Sequence, residues 1–251
     1  MSDFNYAILE DTAHRPWSMP ERPWIMTQTW HDLLFAHWPV EEHVLRALVP
    51  APLPIDVFHG QAWLGVVPFH MTNVSPRGVP SIPFVSAFPE LNVRTYVSLD
   101  GRPGVFFFSL DAGSSIAVAA ARTLFGLPYY VATMTVETAG ADVTYRSRRH
   151  SGQAEFAATY RPMGEAHAPE PGTLEYFLTE RYCLYTADSS NRAHRLDIHH
   201  PRWPLQAAEA EIEVNTMAHA SGIELPRTTP LLHFSRRQDT VAFAPERAER
   251  R

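Results

Sequence analysis

Apolar positions recur at every second residue over most of the chain, and only a few short stretches change to helical spacing. The clearest alternation is "LNVRTYVSLDGRPGVFFFSLD" (91–111), two strands meeting at Asp100-Gly101-Arg102-Pro103-Gly104. Strand-like runs follow at 129–138, 141–149 and 153–161, with "TAGAD" turning between the first two. More strands are expected around 182–187, 194–200, 205–215 and 231–235. Upstream, "QTWHDLLFAHWPV" (28–40) reads as a strand with a bulge, and "IDVFHGQAWLGVVPFHM" as a hairpin about His59-Gly60. "SPRGVPSIPF" holds too much Pro and Gly for a core strand and reads as a loop.

Helical spacing is confined to three places. Pro39 and "VEEHVLRALVP" predict a short helix with Glu41 and Glu42 at its positive end, Pro50 as its stop, and Val44, Leu45 and Leu48 as its buried stripe. Residues 114–125 predict a second helix capped by Ser114 or Ser115. "TLEYFLTER" predicts a third, capped by Thr173, with Leu174, Phe177 and Leu178 apolar. No βαβ rhythm and no repeat stand out. The expected fold is mainly β (α+β): a large antiparallel β-barrel or strongly curved sheet with a few peripheral helices. Closure removes edge strands and leaves an interior able to hold a small ligand. Residues 1–23 are expected as an irregular arm, 24–243 as a single barrel domain and 244–251 as a frayed tail. "GEAHAPEPG" (164–172) is the best linker candidate, though short.

Composition narrows the chemistry. A formal charge of −6 gives no general attraction to nucleic acid or anionic lipid. All 21 basic residues are arginine, so no lysine is present to form a Schiff base. Cys183 stands alone and reads as a buried strand thiol; the missing disulfide fits a reducing, cytoplasmic setting. The N-terminus lacks the basic start and apolar core of a signal peptide, and no run is long enough to cross a bilayer.

The 13 histidines are scattered without HExxH or CxxC spacing, and His199 and His200 face opposite ways on a strand, so no metal is expected. Asp197 and His199 share a face on which they can hydrogen-bond. GxGxxG, GxxxxGK[ST] and GxSxG are all missing, and no cofactor is expected. In "YRSRRH" (145–150), Arg146 and Arg148 line one face and Arg149 the other, as in a solvated strand end. The strongest signal is "FPELNVRTYV" (88–97), where Glu90, Asn92, Arg94 and Tyr96 alternate to one side. Such a face is either exposed or lines a polar pocket. Inside a barrel, Glu90 and Arg94 could pair, or the arginine could hold a carboxylate or enolate.

"FAHWPV", "FPELNVRTYV", "GVFFFSLDA", "LPYYVATM", "LEYFLTERYCLYT", "IHHPRWPLQ" and "LHFS" occur in order over residues 24–243 and resemble the YqjF-like family, a domain without an assigned reaction. That family is similar to the acetoacetate decarboxylase superfamily, which implies a large antiparallel barrel with a central cavity. The matching stretch is "ARTLFGLPYYVAT". Arg122 matches the superfamily's arginine, Gly126 and Pro128 its turn, and Tyr129 and Tyr130 stand where its two lysines would be. Glu90 looks like its active-site glutamate. The resemblance implies a cavity whose acidic group is kept and whose amine is lost. The expected ligand is a small oxo or carboxylic compound held by Arg94 and Arg122, with Glu90 as general acid or base and Tyr129 as an oxyanion donor. Tyr96, Arg181, Tyr182 and His199 are further candidates for the wall. A binding protein, a cofactor-free lyase, hydratase or isomerase, and a scaffold dimer remain open, and a homo-oligomer is compatible with each.

Overall fold

The computed structural model describes residues 3–80, 86–188 and 190–248. Twelve strands form one sheet: β1 (Trp24–Val40), β2 (Ala62–Pro76), β3 (Phe88–Leu99), β4 (Arg102–Ala112), β5 (Tyr129–Ala139), β6 (Asp142–Arg149), β7 (Glu155–His167), β8 (Cys183–Ala187), β9 (Ala193–His199), β10 (Leu205–Asn215), β11 (Leu231–Phe243) and β12 (Glu246–Arg247). Three helices accompany them: α1 (Glu42–Arg46), α2 (Ser115–Phe125) and α3 (Leu174–Thr179). The fold is mainly β, as expected. None of the helices is long and apolar enough to cross a membrane.

The strand order is β12-β9-β8-β4-β3-β2-β1-β11-β10-β7-β6-β5, and two further pairings, β9–β11 and β4–β5, close it twice. One ring runs through seven strands (β9, β8, β4, β3, β2, β1, β11). The other runs through nine (β4, β3, β2, β1, β11, β10, β7, β6, β5), so five strands belong to both. Side chains alternate across this shared wall. Leu34, Ala36, Leu64, Val66, Leu91 and Val93 pack into the nine-stranded ring against Tyr145, Phe156, Tyr160 and Phe234. Leu33, Phe35, Val67, Phe69, Met71 and Phe88 turn toward the seven-stranded ring.

Two long strands change parity midway. Asp32 in β1 and Asn73 in β2 have φ of 51° and 53°, and the β1–β2 register shifts between His31 and Ala36 and between Thr27 and Thr29. Both residue types enter the left-handed region more readily than most. Each slip moves the inward face by one residue. Met26, Gln28 and Trp30 before Asp32 therefore face the same interior as Leu33 after it, and Val74 and Pro76 continue the face of Val67, Phe69 and Met71. The Asp32 carbonyl accepts a 2.8 Å bond from the buried Tyr160 hydroxyl, and the Asn73 carbonyl accepts from Thr27 Oγ1 at 2.9 Å. The bulge expected in 28–40 is present.

Several expectations change. Pro39 lies in β1, and α1 starts at Glu42 after Glu41 as cap. β7 runs through the first half of the segment read as a linker. Among the described residues one βαβ unit is present: α2 returns the chain so that β5 pairs parallel with β4, and β8 joins the other part of β4 in parallel. β11 extends from 231 to 243, because its polar middle is satisfied by other parts of the chain: Asp239 accepts from Thr29 Oγ1 at 2.6 Å and Gln238 bonds His200. In the tail, Glu246 and Arg247 pair with Arg195 and His194 of β9. Residues 81–84 of the Pro-rich loop and the last three residues of the tail lie outside the described residues.

Candidate functional site

The nine-stranded ring is filled, and the seven-stranded ring is hollow. Its cavity, about 300 Å³, is lined from all seven strands and roofed by Ile116, Ala117, Ala120, Ala121 and Phe125 of α2. These positions share one helix face. Ser114 caps α2 by accepting from Ala117 N–H, and Gly126 ends it at φ 63°, a left-handed conformation that costs glycine little. The turn then delivers Tyr129 beside Leu110 of β4. Ile116 is 63% exposed although it lines the cavity, so α2 separates the cavity from solvent by a single layer.

Most of the lining is apolar, with Trp30, Phe69, Phe88, Phe107 and Trp203 supplying rings. Glu90, Asn92 and Arg94 project into it from one regular stretch of β3, which pairs with β2 without a slip from Phe88 to Thr95. Glu90 is 4% exposed. Its Oε2 accepts a 2.9 Å hydrogen bond from the Tyr129 hydroxyl, and its backbone carbonyl accepts one of 2.7 Å from Tyr145. Burial pushes the Glu90 carboxyl up to about 8; the Tyr129 bond opposes that rise, and the charge of Asp111 adds to it. Burial, with Glu90 beside it, also raises the Tyr129 phenol well above its ordinary value.

Arg94 is half-buried and leans away from Glu90. Its Nη2 donates to the Leu178 carbonyl at 3.2 Å, and its guanidinium carbon lies 5.3 Å and 5.8 Å from the ring centres of Phe35 and Tyr96. Among the described residues no carboxylate forms an ion pair with it, and its buried Nε has no partner. The expected Glu90–Arg94 pair is therefore not made. Gly65, opposite Arg94 in β2, leaves room for this arrangement: a Cβ there would lie 3.1 Å from the His37 ring and 3.4 Å from Arg94 Cγ. Asn92, between the two charged groups, has a buried Oδ1 without a partner.

The other predicted site residues divide. Arg181 reaches the cavity, but its Nε donates to the Phe177 carbonyl and its Nη1 to Asp56, both at 2.6 Å, which commits the guanidinium to the scaffold. Tyr96 shares the parity of Glu90 yet lies outside the lining. Its hydroxyl donates to the Leu178 carbonyl at 2.8 Å and bonds His37 Nε2 at 2.6 Å, which seals that end. Arg122 is on the outer side of α2, where its Nε donates to the Tyr129 carbonyl at 2.7 Å; it buttresses Tyr129 and faces a separate surface cleft. Tyr182 lies behind His200, with rings 4.6 Å apart and its hydroxyl donating to Glu180.

His199 points away from the cavity, with Nε2 donating to the Ile8 carbonyl at 2.7 Å and Nδ1 3.2 Å from Arg15, so it anchors the N-terminal arm. The expected Asp197–His199 bond is not formed; Asp197 instead accepts from Arg22 and Arg195. His200 is the member of the pair that lines the cavity, held by the Arg181 carbonyl. Burial drives both rings down to about 4, so they are neutral at pH 7. Cys183 is buried with its thiol pushed up to about 12. Among the described residues no three His, Cys, Asp or Glu side chains gather as a metal-ligand set.

Sequence reasoning missed one buried group beside the site. Arg149 makes a two-pronged ion pair with Asp111, 2.7 Å on each arm, and its guanidinium lies 3.9 Å from the Tyr130 ring centre. Arg146 and Arg148 are exposed and pair with Glu213 and Glu155, as a solvated strand end would. The only available signal was parity, which set Arg149 on the opposite face.

Comparison with known proteins fixes the family. Residues 27–239 match DUF2071, described as "Uncharacterized conserved protein". The chain is also 52% identical over 231 residues to the "Uncharacterized protein YqjF" of Bacillus subtilis (strain 168), covering 92% of this chain and 95% of that one. The chain belongs to the YqjF-like family. The YqjF-like fold is in turn that of acetoacetate decarboxylases. The enzyme of that name from Legionella pneumophila superimposes with a TM-score of 0.64 at 12% identity, covering 99% of this chain and 98% of that one. The enduracididine biosynthesis enzyme MppR, in complex with pyruvate, superimposes with a TM-score of 0.62 at 11% identity and 93% coverage of each chain. At these identities the likeness concerns fold alone.

Proposed function

We propose that the cavity binds a small oxo or carboxylic compound without covalent attachment, and that Glu90 moves a proton on it, as a lyase, hydratase or isomerase requires. The observation that carries this reading is the state of Glu90: deep in an apolar cavity, paired to a phenol and not to an arginine. A carboxyl so placed keeps its proton near neutrality and can exchange it with a ligand. Arg94 supplies an unmatched positive charge for a carboxylate, and the unpartnered Asn92 Oδ1 offers an acceptor to a ligand donor. The pyruvate bound by the fold relative MppR supports an oxo acid. The hollow ring weighs against a scaffold, for which a filled barrel is expected.

The test is a thermal-shift screen of oxo acids on wild type, Glu90→Gln and Arg94→Met, followed by NMR of solvent deuterium exchange beside the ligand carbonyl. A shift lost in Arg94→Met and an exchange lost in Glu90→Gln are expected. Equal shifts in all three proteins would remove the proposed contacts.

A further inference from the structure

The spacing of the two charged groups limits the ligand. β3 keeps its register with β2 from Glu90 to Arg94, and its slip against β4 between Val93 and Arg94 passes over Phe108, so the extra residue belongs to β4; four residues of strand span about 13 Å. The head groups do not converge. Arg94 shares the Leu178 carbonyl with Tyr96, at one end, while Glu90 is tied to Tyr129 at the other. Taking the side-chain tips to be as far apart as their backbone positions, and allowing one hydrogen-bond length at each end, leaves about 7 Å between the ligand's polar termini. The walls between them are phenyl, indole and aliphatic groups.

Building on the functional reading above, we propose that the ligand is an elongated oxo carboxylate. Its carboxylate sits on Arg94 and its carbonyl oxygen on the Tyr129–Glu90 pair, with roughly three to five carbons between the two functional carbons. A 2-oxo or 3-oxo acid holds its polar groups too close together to reach both ends. It would also leave much of a cavity of about 300 Å³ unfilled against apolar walls. The longer chain buries its methylenes there. Glu90, with its carboxyl held up to about 8, has a proton to donate from the carboxyl while Tyr129 occupies Oε2.

The experiment is calorimetric titration of the full chain with pyruvate, 5-oxohexanoate, 7-oxooctanoate, octanoate and 2-octanone. Wild type is expected to bind one of the longer oxo acids at least about tenfold tighter than pyruvate, because three or more buried methylenes add to the carboxylate contact. Octanoate and 2-octanone, each lacking one terminus, should fall between. Arg94→Met should bring the longer oxo acids to the level of 2-octanone; Arg94→Lys, which keeps the charge, should restore part of the difference and serves as the folded control. Pyruvate binding as tightly as the longer acids, with dependence on Arg94, would overturn the elongated ligand while leaving an oxo-acid site. Failure of wild type to bind any acid would overturn both.

Discussion

The Tyr129 hydroxyl donates a 2.9 Å hydrogen bond to Oε2 of Glu90, joining the first residue of β5 to the third of β3 across β4. This phenol stands where the decarboxylase superfamily resemblance puts an amine. The carboxyl therefore has a neutral partner, and its titration is set by burial.

Stability should carry the signature of that titration. The Glu90 carboxyl moves from an ordinary 4.5 up to about 8 in the folded chain. Below 4.5 both folded and unfolded chains hold the proton, and above about 8 both have released it. Between these limits only the folded chain keeps it, so stability falls as pH rises through the window. His199 and His200, driven down to about 4, act in the opposite sense up to their ordinary 6.5. The difference between wild type and Glu90→Gln isolates the carboxyl. Urea midpoints should move in the variant's favour from pH 5 to pH 8 and stay parallel above pH 9.

Tyr129→Phe removes the side-chain bond that, among the described residues, favours the Glu90 anion. The pH at which wild type and the Glu90→Gln variant become parallel has its counterpart in any proton-dependent ligand signal, whose midpoint should move to higher pH in Tyr129→Phe. The variant should lose about 1 kcal/mol of stability. An unchanged midpoint in an NMR titration of the Glu90 carboxyl carbon would contradict the assignment of Tyr129 as its partner.

Asp111→Asn should be far more damaging than its distance from the ligand suggests. It leaves the Arg149 guanidinium buried without its carboxylate, a loss on the order of 3–5 kcal/mol. Asp111→Asn with Arg149→Met should recover part of that loss, and a double-mutant cycle in urea measures how much.

His199→Ala separates scaffold from site. It strips the Ile8 carbonyl and Arg15 of a partner, so a loss of about 1–3 kcal/mol is expected. Ligand-induced thermal shifts should keep their size. Ala121→Phe, on the roof, should do the reverse: it fills the cavity, abolishes the shift and leaves the melting temperature equal or higher.

The sequence revealed the polar face of β3 because that strand is regular: strict alternation put Glu90, Asn92 and Arg94 together, and the structure keeps them so. Tyr96 obeys the same parity, but whether a residue meets a cavity or a plug depends on what covers it, here His37 and the end of α3. In β1 the bulge was legible but not its seat at Asp32, and the parity change at Asn73 in β2 was hidden altogether, for a different reason. A left-handed Asp or Asn leaves no pattern of its own, and its stabilising contacts, such as Tyr160 onto Asp32, come from distant segments. The polar run Arg236–Thr240 masks the continuation of β11: Gln238, Asp239 and Thr240 are buried, Asp239 accepting from Thr29 of β1, while Arg236 and Arg237 stay partly exposed and Arg237 pairs with Asp3 of the N-terminal arm. The parallel β4–β5 pair escaped notice because a single crossover creates no rhythm.

Five strands form a party wall between a solid chamber and a hollow one, and successive residues along each strand answer to opposite tenants. Exchanging Val67 or Val105 reshapes the hollow side, while neighbours such as Val66 keep the masonry intact. Such a building can be refurnished for a new guest, in the laboratory or by natural drift, without disturbing what holds it up.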